Sequence, residues 1–223
     1  MSSEDNQKIA KIRELGRRFF ELGLINENYS SGLPTETQTL SKKGVKVVLD
    51  YLKANMGALM MLYGSFPLMS QLLPELKRTP KDIDIQLKVG RVEAEKFSNT
   101  LFIQLKNIGE PVRLNPKNPV LIESNKTGKW ERAVDIHHLE EEPEDSLSPL
   151  YPLNLAVAAP SRGRAQALID ALDTYRIWKT CVELAKNNKQ NVSKIKIAEE
   201  LINEYKKCFS DVIDFDKLEI KRK

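Results

Sequence analysis

The chain has few of the residues that build redox or zinc chemistry. Its 223 residues include two cysteines, Cys181 and Cys208, and two histidines, His137 and His138. The cysteines have no partners at zinc-ligand spacing, which excludes a zinc finger or ribbon and leaves room for one disulfide at most. No apolar run approaches the ~20 residues that a bilayer-crossing helix needs. The longest candidate, Ala58 to Leu62, stops at Tyr63-Gly64. The N-terminus, Met1 to Asn6, is polar and acidic and unlike a signal peptide. A cytoplasmic protein with no membrane partner is therefore expected. There is no internal repeat and no low-complexity tract, which excludes repeat architectures.

What the chain does contain is enough for a packed core. Hydrophobic residues make up 41% and charged residues 30%, an ordinary soluble balance with nothing to suggest general disorder. The net charge of +4 fits a polyanionic partner without demanding one, because distribution matters more than the sum. Basic residues gather in two places. Arg162 and Arg164 open one helical pattern, and Lys206, Lys207, Lys217 and the tail Lys221-Arg222-Lys223 crowd the C-terminus.

Hydrophobic periodicity predicts helices over 7–23 (Ile9, Ile12, Leu15, Phe19, Leu22) and from about Thr35 to Asn55, where Val45, Val48, Leu49 and Leu52 form the buried stripe. The continuous apolar run from Ala58 to Tyr63 suits a strand buried on both faces. Phe66 to Leu73 reads as a helix with Pro67 in its first turn. Asp82 to Val89 alternates with period two and reads as a strand. A helix over Arg91–Ile108 follows. Three further strands come next, Pro111–Leu114, Val120–Glu123 and Trp130–His138, with turns at Asn115-Pro116 and Lys126-Thr127-Gly128. An acidic loop, Glu140–Pro149, leads to two long helices, Ser161–Lys186 and Val192–Phe209. Trp130 and Trp178 are assigned to the core. The plan is α+β, a mixed β-sheet flanked by helices with helical additions at both ends. It divides into an N-terminal helical segment (1–56), a central α/β core (57–145) and a C-terminal helical region (146–223).

Two features carry chemistry. Gly64-Ser65 follows a strand and precedes a helix. A glycine there lets the backbone approach a ligand, and the exposed amides with the Ser65 hydroxyl suit a phosphate. Asp82-Ile83-Asp84 places two carboxylates on one face of a strand while Ile83 and Ile85 point into the core. Like charges side by side repel, and a divalent cation that prefers carboxylate oxygens removes the repulsion. His137 and His138 are adjacent on a strand and face opposite ways, so one at most reaches such a site.

Tyr63-Gly64-Ser65, a helix, then Asp82-x-Asp84 on the next strand resembles the signature of the polymerase β-type nucleotidyltransferase superfamily. Arg78-Thr79 just upstream of the carboxylates is most similar to the AbiEii-like toxin branch. The resemblance covers residues 58–87. It implies a nucleotidyltransferase-type sheet and a third carboxylate from a later strand. Asp135, in Arg132-Ala133-Val134-Asp135-Ile136-His137, stands at that place, with Glu131 and Glu123 as rivals. It further implies two Mg2+ ions, with Mn2+ able to replace them, about 3.5–4 Å apart on Asp82, Asp84 and Asp135. The expected reaction moves a nucleoside monophosphate from a nucleoside triphosphate to an acceptor hydroxyl on RNA, such as a tRNA end, or on protein, with release of pyrophosphate. Gly64 and Ser65 would grip the terminal phosphates. Arg78, Lys81 and the helical pair Arg176 and Lys179 would meet the remaining phosphate charge. A cognate antitoxin is the implied partner. One departure stands out: after Ala158-Ala159-Pro160 and Arg176-Lys179, the branch's aspartate is replaced by Thr180. A small-molecule acceptor, or a non-catalytic module binding nucleic acid or a partner protein, remains as the alternative.

Overall fold

The computed structural model describes residues 3–24, 29–55, 60–138 and 164–221. Gly57, Ala58, the acidic loop 140–149, Ala158-Ala159-Pro160, Arg162 and Arg222-Lys223 lie outside these residues, as do both boundaries of the three-part division. In chain order the elements are α1 (Ser3–Glu21), α2 (Lys42–Asn55), β1 (Met60–Tyr63), α3 (Ser65–Leu68), β2 (Ile83–Leu87), α4 (Arg91–Asn107), β3 (Val112–Asn115), β4 (Asn118–Ser124), β5 (Glu131–His138), α5 (Arg164–Asn187), α6 (Val192–Phe209), β6 (Ile213–Asp214) and β7 (Glu219–Ile220). The protein is α+β, with a mixed five-stranded sheet and six helices among the described residues.

The chain forms two compact units. The first holds residues 30–71 and 77–147, hence the five-stranded sheet with α2, α3 and α4. Its strand order is β1-β2-β5-β4-β3, in which β2 and β5 run parallel and the other neighbours antiparallel. The period-two pattern of β2 decides which face is core. Ile83, Ile85 and Leu87 are buried, while Asp84 and Gln86 between them are partly exposed. On the core face they join Val134, Ile136, Ile122 and Val120 from the other strands, Val45, Val48 and Leu52 from α2, and Leu101 and Leu105 from α4. Each such aliphatic side chain, fully buried, contributes roughly 1.5–3 kcal/mol.

Several local expectations are corrected. Helix α2 starts at Lys42, not near Thr35. Thr37 turns the chain instead, its Oγ1 accepting the Leu40 amide at 2.9 Å. Ser41 then caps the helix, its Oγ accepting the Gly44 amide at 3.2 Å while its hydroxyl donates to Glu110. The helix expected over Phe66–Leu73 is the single turn α3 followed by a 3-10 turn, Met69–Gln71. Strand β1 is an edge strand, and all four of its residues are partly exposed, not buried on both faces. Asp82 lies one residue before β2, not on it.

The second unit comprises residues 1–29, 72–76 and 148–223, so α1, α5, α6 and the short β6–β7 hairpin belong to it. Its core is aromatic. Trp178 is buried, stacked on Phe19 with ring centroids 4.4 Å apart, and tilted against Tyr205 at 4.9 Å. Asn191 caps α6 by accepting the Ser193 and Lys194 amides. Cys181 is buried and Cys208 partly buried, and both are free thiols. Among the described residues, no helix is long and apolar enough to cross a membrane.

Candidate active site

Strand pairing brings three separate pieces of sequence to one spot. β1 runs antiparallel to β2 with Tyr63 opposite Asp84, so the chain leaving β1 turns against the Asp84 carboxylate. The turning residue is Gly64, at φ 75°, a conformation that side chains with a Cβ rarely adopt. A Cβ there would lie 2.5 Å from Asp84 Oδ2, so both conformation and space require glycine. On its other side β2 runs parallel to β5, with Asp84 in register with Asp135. The two carboxylates therefore project together from the face opposite Ile83, Ile85 and Ile136.

His137, two residues along β5, shares the Asp135 face. Its Nε2 lies 3.4 Å from Asp135 Oδ2, and its ring meets Tyr63 edge-on at 5.2 Å. One ligand atom each from Asp84, Asp135 and His137 lie within 4.8 Å of one another. Asp82 joins this group through Arg132, whose Nε is 3.7 Å from Asp82 Oδ2 and whose Nη1 is 3.1 Å from Asp135 Oδ2.

The electrostatics are those of crowded carboxylates. Burial, then the charges of Asp82 and Asp135, push the Asp84 carboxyl up to about 7. Burial also raises Asp82, against the opposing pull of Arg132 and Lys81. For Asp135, burial works upward too, but hydrogen bonds and charge from His137 and Arg132 prevail and hold it below its ordinary range. Its hydrogen bond to Asp135 raises His137 in turn, with burial opposing. The arrangement thus holds one carboxylate firmly ionised and a second that keeps its proton until near neutrality.

The two rivals of Asp135 are engaged elsewhere. Glu131 pairs with Lys81 at 3.2 Å and accepts the Thr127 hydroxyl at 2.7 Å. Glu123 accepts from Arg113 and Asn115, both at 2.8 Å. Ser65 opens α3 next to Gly64 and is partly exposed. Arg78 lies in the segment leading to Asp82, its backbone amide 3.5 Å from Met69 Sδ. Arg176 and Lys179 belong to α5 of the helical unit. Arg176 is buried there, with Nη1 donating to Asp173 at 2.8 Å and Nη2 to the Leu218 carbonyl at 3.3 Å. Thr180 is buried as well, its Oγ1 accepting the Leu73 amide at 3.3 Å. The C-terminal lysines are interleaved with acids: Lys206 pairs with Asp216 and Lys217 with Asp214. Trp130 is 41% exposed, not core, and stacks on the Arg113 guanidinium at 4.2 Å.

Arg132 escaped the sequence reading, and His137 entered it only as one of two histidines of which one at most could reach the site. His137 carried a signal, since it stands two residues from Asp135 and alternation puts both on one face. Arg132 carried none, because residues three apart on a regular strand face opposite ways. Comparison of the chain with protein-family models, curated proteins and solved structures returned no match, so the site is read from its own geometry.

Proposed function

We propose that this chain is a divalent-metal-dependent nucleotidyltransferase that moves a nucleoside monophosphate from a nucleoside triphosphate to a hydroxyl of an RNA or protein acceptor. One observation carries the reading: Asp84, in register with Asp135, lies directly against the positive-φ turn at Gly64. Stability alone gives no reason to hold these carboxylates together, since burial and then the charges of Asp82 and Asp135 raise Asp84. The donor set fits a divalent cation. Carboxylate oxygens suit Mg2+ and Mn2+, and the His137 imidazole shifts the preference toward Mn2+.

Asp84, Asp135 and His137 would hold the cation, with Asp82 at the margin. A cation bound there supplies charge neutralisation for the triphosphate and a lower pKa for the acceptor hydroxyl. The Gly64 and Ser65 amides and the Ser65 hydroxyl would donate to phosphate oxygens. Helix α3 has only one turn, so these few donors, not a helix dipole, do the work. Arg78 and Lys81 would meet further phosphate charge. Asp135, kept ionised by its neighbours, would accept the proton of the acceptor hydroxyl. The protein's part is to position groups and neutralise charge. A toxin role with a cognate antitoxin belongs to the same proposal and rests on the resemblance around Arg78-Thr79.

One observation favours a second reading, a non-catalytic module. Arg132 already neutralises Asp82 and Asp135. The two readings separate when the protein is incubated with each α-labelled nucleoside triphosphate, Mg2+ or Mn2+, and total RNA or total protein, beside Asp84→Asn and Asp135→Asn. Label that passes to RNA or protein only with intact carboxylates supports the transferase. No transfer, together with no metal or nucleotide binding, refutes it in favour of the module.

A further inference from the structure

We propose that Arg132 is a built-in counter-ion that leaves the carboxylates when a divalent cation enters and pairs instead with the phosphates that the cation brings. The proposal rests on the metal-site reading above.

The placement of Arg132 is specific. β4 and β5 change register between Ile122 and Glu123: Ile122 faces Val134, but Glu123 faces Arg132. Ala133 is the extra residue, a β-bulge in β5. Without it, Arg132 and Asp135, three apart, would face opposite sides of the sheet. With it, Arg132 follows Glu123 onto the face away from the buried Ile122 and reaches the carboxylates. Bulges of this kind re-aim a side chain at the cost of ladder hydrogen bonds.

The contact made is a bridge. One guanidinium spans Asp82 Oδ2 and Asp135 Oδ2, and both carboxylates are buried. The Arg132 side chain is itself 53% exposed, so it has a path to solvent. Among the described residues, its ion-pair partners are these two carboxylates. The oxygen it holds on Asp135 is the one that His137 Nε2 also approaches. A divalent cation among Asp84, Asp135 and His137 must therefore compete with the guanidinium for Asp135 and also repel it. Arginine does not deprotonate in proteins, so it cannot yield by losing its proton. It yields by moving. The guanidinium fork matches phosphate oxygens in pairs, so a polyphosphate arriving with the cation offers a new partner within the same region.

This makes binding of cation and polyphosphate mutually dependent. The cation alone binds against the Arg132 contact, while cation plus polyphosphate regains what was lost. By linkage each strengthens the other, here by about tenfold, within the ordinary range of such couplings.

The test is calorimetric titration of the full chain with Mn2+ alone, and with Mn2+ in the presence of inorganic tripolyphosphate. Wild type is expected to bind Mn2+ about tenfold more tightly when tripolyphosphate is present, with affinity referred to free Mn2+ after allowing for its chelation by tripolyphosphate in solution. Arg132→Gln is expected to bind Mn2+ alone about tenfold more tightly than wild type and to lose the tripolyphosphate effect. Arg132→Lys, which keeps the charge but not the fork, is expected to bind Mn2+ alone like wild type and to gain less from tripolyphosphate. It also serves as the reading if the Gln variant does not fold. Mn2+ binding to Arg132→Gln that equals or falls below wild type, while Asp84→Asn abolishes it, overturns the exchange and leaves the metal site standing. Failure of wild type and every variant to bind Mn2+ overturns both.

Discussion

Replacing Asp84 by Asn removes the one carboxyl whose charge the fold tolerates least. Burial, followed by the charges of Asp82 and Asp135, carries its pKa from an ordinary 3.8 up to about 7. Each tenfold change in proton affinity is worth 1.36 kcal/mol, so holding Asp84 ionised costs the folded state up to about 4 kcal/mol, and about 2 once its partial exposure is allowed for. The sign follows from proton binding. Between pH 4 and pH 7, roughly, the folded chain keeps a proton on Asp84 that the unfolded chain has released, so stability falls as pH rises through that window and levels off above it. Asn carries no such penalty. Without metal, Asp84→Asn should be more stable than wild type by about 2 kcal/mol at pH 8 and nearly equal at pH 4. Asp135, held low, stabilises above its ordinary range and loses that stabilisation as pH falls; His137, held high, stabilises below its ordinary range and loses it as pH rises. The Asp135 contribution is common to the two proteins and cancels in the difference; that of His137 cancels in the main, because its largest cause is the hydrogen bond to Asp135 and the Asp84 charge is a smaller one. Added Mn2+ should stabilise wild type at pH 8 and leave Asp84→Asn unchanged, since a ligand that binds only the folded state raises its stability. The assay is urea unfolding of both proteins across pH, with and without Mn2+. A variant less stable than wild type at pH 8 without metal, or equal stabilisation of both by Mn2+, would refute the reasoning.

Three further outcomes are expected. Gly64→Ala puts a methyl 2.5 Å from Asp84 Oδ2 at a φ of 75°, and should cost roughly 1–3 kcal/mol and abolish Mn2+ binding, as read by thermal unfolding and calorimetry. Trp178→Ala removes the ring stacked on Phe19 and should destabilise the helical unit by about 3–5 kcal/mol in urea titrations, whereas a loss below 1 kcal/mol would contradict its place in the core. Burial pushes the Cys181 thiol up to about 12, so iodoacetamide at pH 8 should modify Cys208 first and reach Cys181 only on unfolding, as peptide mass mapping would reveal.

Sequence periodicity and turn chemistry carried much of this structure. The alternation of Ile83, Ile85 and Leu87 with Asp84 and Gln86 fixed both the strand and its buried face, because a half-buried strand has no other way to separate apolar from polar side chains. Val192–Phe209 emerged with the expected bounds, since its apolar stripe is continuous and Asn191 supplies the cap. Gly64-Ser65 marked the turn. Strand β1 was misread as doubly buried because an apolar run does not say how many neighbours a strand has. Trp130 was misassigned because a tryptophan contributes apolar surface whether a core or an arginine such as Arg113 covers it.

The sequence by itself determined which residues have the chemistry to form a site: Asp82, Asp84 and the glycine at 64 are local facts of composition, spacing and alternation, and Asp135 was the third carboxylate that the family resemblance implied. Their meeting was decided only by the tertiary structure. The β1-β2-β5 order, with β2 and β5 parallel, puts Asp84 beside Asp135, and no local pattern encodes the pairing of strands some fifty residues apart. The bulge at Ala133 turns Arg132 onto their face, where one guanidinium ties Asp82 to Asp135. A bulge exists only in relation to the strand opposite, so the residue that neutralises these carboxylates could be identified only after β4 and β5 were paired.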